Sequence, residues 1–288
     1  MLLRVSHLTR YYYSHPVLLA PHRLYLRPRA SSRQRVKSFQ LQFAPTARVV
    51  ATLDLHDNPL DWAYWLEPTA AMNIEMEFEV ETLGANPFDF ILRTDALNFP
   101  PAYDEAERAG LAPWLVRPAA DPGSRLRSWL DRQVPAPPTD TLGWLSTVNN
   151  AVMRSIGYTR RDEHGIQTPE ETLERGTGSC RDFATLLIEL CRLNGLAARF
   201  VSGYLYDSPP APPAEAPPTA MHAWVEVYLP GGGWRALDPT RGIFCDDAFV
   251  PVAHAVRGES VSPVQGSFSA KGPVTAELQA DISIVRLD

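Results

Sequence analysis

Several short segments in the first 115 residues alternate apolar and polar positions. LRVSHLTRYYY, HRLYLRPR, VKSFQLQFAP, VVATLDL, NPLDWAYWLEP and MNIEMEFEVE follow one another with turn residues between them. Alternation of this kind puts one side of a strand in a core and the other in water. IEMEFEV is the clearest: Ile74, Met76, Phe78 and Val80 share one face and Glu75, Glu77 and Glu79 the other. Residues 1–115 are therefore expected to form an antiparallel β domain with one wet side.

The period lengthens after about residue 120. SRLRSWLDRQV predicts a short helix, and TLGWLSTVNNAVMRSIGY a longer one with Leu145, Val148, Val152 and Ile156 at helical spacing. TPEETLERG opens with a cap at Thr168, a first-turn proline and Glu171 at the capping-box position, and Gly176 stops it. GTGSCRDFATLLIELC then starts a further helix, with Ser179 as its cap and Asp182 three residues on. Its stripe of Phe183, Leu186, Leu187, Leu190 and Leu193 faces a core. HAWVEVYL alternates as a strand, and GGGWRALD supplies a glycine turn and a partner strand, giving a hairpin. Residues 207–220 carry six prolines and read as an exposed insertion edging a cleft, since a strand resumes directly after them. DDAFVPVAHAVRG reads as a short helix or turn, and VTAELQADISIVRL as a closing strand for either half. The whole is α+β, with a second unit over residues 116–288.

Composition narrows the function classes. A net charge of −6 over 288 residues argues against general nucleic-acid binding. Residues 1–40 contain arginines and one lysine but no acid, and most early acids lie in 51–107. Two β faces of opposite sign account for that segregation. No run of eighteen apolar residues exists, so no membrane span is expected, and the opening residues read as mature structure rather than a signal peptide. Three cysteines, Cys180, Cys191 and Cys245, are too few and too scattered for a disulfide framework, so a reducing, cytoplasmic setting is expected. Cys180 and Cys191 sit about three turns apart on one helix, too far to bridge. His7, His15, His22, His56, His164 and His254 lack neighbouring ligands at metal spacing, and neither a metal nor an organic cofactor is expected.

The chemistry gathers around Cys180. In the first turn of its helix, unpaired N–H groups and the positive dipole end stabilise a thiolate. Gly176 and Gly178 are read as leaving room for a substrate, and Cys191 as a core thiol. A cysteine nucleophile needs a base that later returns the proton, and histidine oriented by a carboxylate fits that task. His222 and Asp238 lie on the two strands of the hairpin. An even loop, 230–233, would pair 225 with 238 and put them on opposite faces. An odd loop, 230–232, pairs 224 with 238 and puts them on the same face. An odd loop or a bulge at Gly231–Gly233 is therefore expected.

GTGSCRDFATLLIELCRLNGLAARFVSGYL followed by HAWVEVYLPGGGWRALDPT resembles the bacterial transglutaminase-like proteins of the transglutaminase/papain-like cysteine protease superfamily. The likeness is close over 140–245, and residues 1–115 resemble the β-rich N-terminal domain that accompanies this core. It implies a papain-like transglutaminase core with Cys180 as nucleophile, His222 as general base and acid, and Asp238 as its orienter. It also implies attack on a carboxamide or peptide carbonyl of a peptide, protein or small amide, through a thioester. Water then gives hydrolysis, and an amine gives protein-glutamine amine transfer. Arg181 stands where crosslinking relatives commonly keep tryptophan, and the calcium sites of animal relatives are not found, which puts crosslinking in doubt, makes hydrolysis at least as expected and leaves the acceptor open. The remaining alternative is a binding or scaffold protein on the same platform. The Cys180 backbone N–H and the Tyr158 hydroxyl are the oxyanion donors to test. Asp182 is read as a cap or a partner of Arg181, and Trp224 as a shield for His222 or core filler. Trp234 is read as packing.

Overall fold

The structure, a computed structural model, describes residues 1–117, 124–161, 163, 165–207 and 221–288. The six early segments are all strands: β1 (Leu2–Leu19), β2 (His22–Leu24), β3 (Gln34–Ala44), β4 (Arg48–Leu53), β5 (Pro59–Tyr64) and β6 (Thr69–Thr82). Next come α1 (Glu105–Leu115), α2 (Ser124–Gln133) and α3 (Thr141–Ser155). Two-residue β7 (Gly157–Tyr158) and β8 (Thr177–Gly178) flank α4 (Pro169–Arg175). Helix α5 (Cys180–Leu193) leads into β9 (Ala198–Leu205), β10 (His222–Leu229), β11 (Gly233–Asp238), β12 (Ile243–Phe244) and β13 (Phe249–Ala255). The chain ends with β14 (Val264–Gln265), β15 (Phe268–Ser269) and β16 (Ala276–Arg286). The fold is α+β.

The first sheet runs β15-β1-β6-β3, and β16 pairs with β1. The closing strand thus returns to the N-terminal sheet, its Ile282 and Ile284 opposite His7 and Val5. A second sheet runs β14-β2-β5-β4. Ile74, Met76, Phe78 and Val80 are fully buried, as their alternation demands. The expected segregation of charge onto opposite faces does not occur. Arg4 pairs in register with Glu79, and Lys37 and Arg35 meet Glu81, so basic and acidic strands neutralise each other on one surface. Tyr204 of β9 ties this sheet to the next one: its hydroxyl meets His7 Nδ1 at 2.8 Å, and its ring packs edge-on against Phe78.

The third sheet runs β12-β11-β10-β9-β13, with α5 packed on β9 and β10. Segment 249–255, expected as helix or turn, is a strand on β9. Pro251 sits where the ladder shifts register and no donor is needed. Helix α1 was absent from the sequence reading. Asp104 and Glu107 cap it with a full capping box, and Leu111 and Trp114 bury its inner face. Helix α5 is not striped on one side only. Ile188, Glu189, Cys191 and Arg192 are buried as well as the leucines, and Arg192 donates to the carbonyls of Trp114, Ala198 and Val256. The proline-rich insertion and His164 lie outside the described residues, the former over 208–220. Among the described residues no helix is long and apolar enough to cross a membrane.

Candidate active site

Ser179 caps α5, so Cys180 occupies its first turn, buried to 8% exposure, where backbone N–H groups have no helical acceptor. Asp182 holds this turn in place. Fully buried, it accepts the Ser179 N–H at 2.8 Å, the Ser179 hydroxyl at 2.9 Å and the Gln167 N–H at 2.7 Å. Arg161 donates to both its oxygens at 2.8 Å. Burial pushes the Asp182 carboxyl up, but Arg161 and the three N–H and O–H donors outweigh it and hold it below the usual range. Asp182 is therefore a cap whose guanidinium partner is Arg161. Arg181 instead donates to the carbonyls of Arg161 and Glu163. Gly178 leaves room for Asp182 rather than for a substrate: a Cβ there would lie 2.9 Å from Asp182 Cβ. Gly176 caps α4 in the left-handed region, at φ 64°.

The hairpin has the odd loop. Leu229 pairs with Gly233 and Val225 with Leu237, which leaves 230–232 as the turn. The same register sets residue 224 opposite 238, so Asp238 shares the face of His222. His222 Nε2 lies 2.9 Å from Asp238 Oδ2. Asp238 is fully buried, and its Oδ1 accepts the Thr240 N–H at 2.8 Å and the Thr240 hydroxyl at 2.7 Å. Burial pushes this carboxyl up, yet the bonds from His222 and Thr240 hold it below the ordinary range. Burial likewise opposes charge on His222. The hydrogen bond with Asp238, and then that with the Cys180 side chain, outweigh burial and raise the imidazole to about 9. With Nε2 committed to Asp238, Nδ1 is the nitrogen left for the sulfur.

Trp224 and Phe249 back the imidazole, with ring centroids 6.1 and 6.2 Å from His222, and meet each other edge-on at 5.4 Å. Their packing depends on Gly203, the register partner of His222 on β9. A Cβ at Gly203 would fall 2.2 Å from the Val250 carbonyl oxygen and 2.5 Å from the Trp224 ring. Sequence reading missed Gly203, Arg161, Thr240 and Phe249. The only local signal among them was the Asp-Pro-Thr turn after Asp238. Tyr158 reaches the site through a parallel bridge with Gly178. It is 59% exposed, and burial of part of the ring, then the Cys180 charge, push its hydroxyl up. Cys191 is fully buried, and burial drives its thiol to about 12. All three cysteines are free. Among the described residues no group of three or more His, Cys, Asp or Glu side chains is arranged to hold a metal ion.

Known proteins share both halves of this arrangement. Residues 129–239 match the transglutaminase-like superfamily, and residues 3–81 match the bacterial transglutaminase-like N-terminal region. An uncharacterized protein of Mycobacterium tuberculosis is 28% identical over 285 residues, covering 91% of this chain and 86% of its own length. One from Mycobacterium leprae is 24% identical, covering 99% of each. The crystal structure of a Cytophaga hutchinsonii protein assigned as a cysteine protease overlays with a TM-score of 0.74 at 17% identity. It covers 100% of this chain and 92% of that one, and shares the fold. The chain thus belongs to the transglutaminase-like superfamily, whose chemistry is cysteine-dependent, and carries the bacterial N-terminal region of that family.

Proposed function

We propose that the protein hydrolyses a carboxamide or peptide bond through a thioester on Cys180. The observation that carries this reading is the 2.9 Å hydrogen bond between His222 and Asp238, on an imidazole whose charge the neighbouring Cys180 side chain also favours. His222 takes the thiol proton, and the sulfur attacks the carbonyl carbon. The resulting oxyanion lies toward the Cys180 N–H, with the Tyr158 hydroxyl as second donor. The imidazolium, held protonated through neutral pH by Asp238, gives its proton to the departing nitrogen as the C–N bond breaks. Water then attacks the thioester while His222 takes its proton. The C–S bond breaks, the acid leaves and the sulfur is restored. Asp238 keeps the imidazole in the required orientation throughout. The buried Trp224 shields the ion pair.

Arg181 supports water over an amine as acceptor. The residue after the nucleophile is a cation tied to two carbonyls rather than an aromatic wall. Peptide- or protein-type amides are the substrate class.

The test offers glutamine-bearing peptides and a peptide library to the native protein and to Cys180→Ala, with and without a primary amine. Native protein is expected to release ammonia or a cleaved peptide with a free acid, and the variant nothing. Amine incorporation exceeding acid formation would establish transfer. Turnover that survives Cys180→Ala would move the nucleophile elsewhere.

A further inference from the structure

Beyond Cys180 lies a cleft of about 710 Å³ with no role in the chemistry above. It lies between the outer face of β9–β11 and the loops entering β3 and leaving β6. Arg29, Arg33, Arg199 and Arg235 line it around one buried carboxylate, Glu226. That carboxylate is committed to Arg199, at 2.6 Å. The other three guanidiniums make their direct contacts with neutral groups: Arg29 donates to the His254 ring, Arg33 to the Gly84 and Asn86 carbonyls, and Arg235 lies over the Phe90 ring, while Glu226 also feels the charges of Arg29 and Arg33 at longer range, and Asp89 and Glu226 favour charge on Arg235. Asp89, Asp246 and Asp247 also line the cleft. Asp247 faces the Met1 ammonium at 3.4 Å, and Asp246 accepts the Ala248 N–H. Among the described residues no carboxylate lies in ion-pair range of Arg29, Arg33 or Arg235. The arginines sense one another, since Arg33 disfavours charge on Arg235, and Arg29 on Arg199.

A second observation indicates what the ligand must offer. Gln34 lines the cleft and is 1% exposed. Its amide nitrogen donates to the Arg29 and Pro251 carbonyls, but its Oε1 has no partner among the described residues. Arg235 Nε is likewise buried without one. Unmade bonds at buried polar atoms are costly, and a ligand that makes them gains accordingly. Three guanidiniums call for carboxylate oxygens, whereas Gln34 Oε1 calls for an N–H. The volume suits a short peptide and far exceeds an inorganic anion.

We propose that this cleft binds an acidic peptide segment, its carboxylates held by Arg29, Arg33 and Arg235 and one of its backbone N–H groups donated to Gln34 Oε1. Trp224 and Phe249 line the cleft and also touch the His222 ring, so the two sites share a wall. Binding here does not depend on Cys180 being a nucleophile, and its test needs no turnover.

Calorimetry of the full chain with N-acetyl-Glu-Glu-amide, N-acetyl-Gln-Gln-amide and inorganic phosphate decides the matter. The diglutamate is expected to bind, and the diglutamine and phosphate at least about tenfold more weakly, as loss of a charge-assisted hydrogen bond implies. Arg33→Gln and, independently, Arg235→Gln should each weaken diglutamate binding by about tenfold with a native circular dichroism spectrum. Equal binding of the diglutamine, equal binding of phosphate, or no heat with diglutamate at millimolar concentration would each overturn the proposal. Unchanged affinity in both variants would do so too.

Discussion

The β1–β6 ladder and the β9–β10 ladder each set an arginine opposite a glutamate in register. Arg4 and Glu79 meet at 2.6 Å with side chains 46% and 29% exposed. Arg199 and Glu226 also meet at 2.6 Å, but at 8% and 11%. The geometry is the same and the surroundings are opposite. Water screens the first pair and would solvate either partner left alone. The second pair is enclosed: Arg199 stacks 3.9 Å from the Trp234 ring, and Glu226 has further arginines around it. In one sheet polar positions are the side that was free to be wet. In the other they are fixed, because each charge has only the partners the fold supplies.

The sharpest way to break this comparison is Glu226→Gln. It leaves Arg199 buried with a neutral partner, and a buried charge that loses its counterion costs about 3–5 kcal/mol. Urea denaturation of the variant should show that loss. Burial pushes the Glu226 carboxyl up, but Arg199, Arg29 and Arg33 outweigh burial and hold it ionised. A loss of about 1 kcal/mol or less would mean the interior pair behaves like a surface one.

His7 probes the seam between the two sheets. Its ring is bonded to Tyr204 on one nitrogen and to Thr9 on the other at 3.0 Å, and burial lowers its pKa from 6.5 to about 4. Above pH 6.5 both the folded and unfolded chains hold it neutral, and its contribution is complete. Between pH 6.5 and about 4 only the unfolded chain takes the proton, so stability falls as pH falls. Below about 4 the folded form also takes it, and the loss levels off at about 3 kcal/mol. Denaturation of native protein and His7→Gln across that window should differ by this slope, and parallel profiles would remove His7 from the account.

The same contrast explains how far the sequence could be read. The strand pattern of the N-terminal sheet, the Ser179–Asp182 cap and the odd hairpin loop all follow from residues close together in the chain. HAWVEVYL alternates just as IEMEFEV does, yet Glu226 is buried and Glu75 exposed. Alternation reports that two faces differ, not that one is wet. Gly203 matters only because Trp224 and Val250 cross it from other strands, and Arg161 because the chain returns it to Asp182. Strand β13 carries Pro251, and only its pairing with β9, which shifts register beside that proline, shows how a ladder accommodates it. Signals of this kind arise from pairs distant in sequence, where one chain alone gives no pattern.

The smallest expected effect is at the exposed ladder. Glu79→Gln removes the negative charge facing the Arg4 guanidinium, which bonds Glu79 Oε1 through both Nε and Nη2. Arg4 then returns to water at little cost, and the Tm should move by no more than about 2 °C. That small shift should vanish in high salt, since screening already weakens the native pair. A larger shift that persists in salt would show that the wet face of β1–β6 is as tightly specified as the interior of β9–β10. The contrast between the ladders would then rest on something other than solvent.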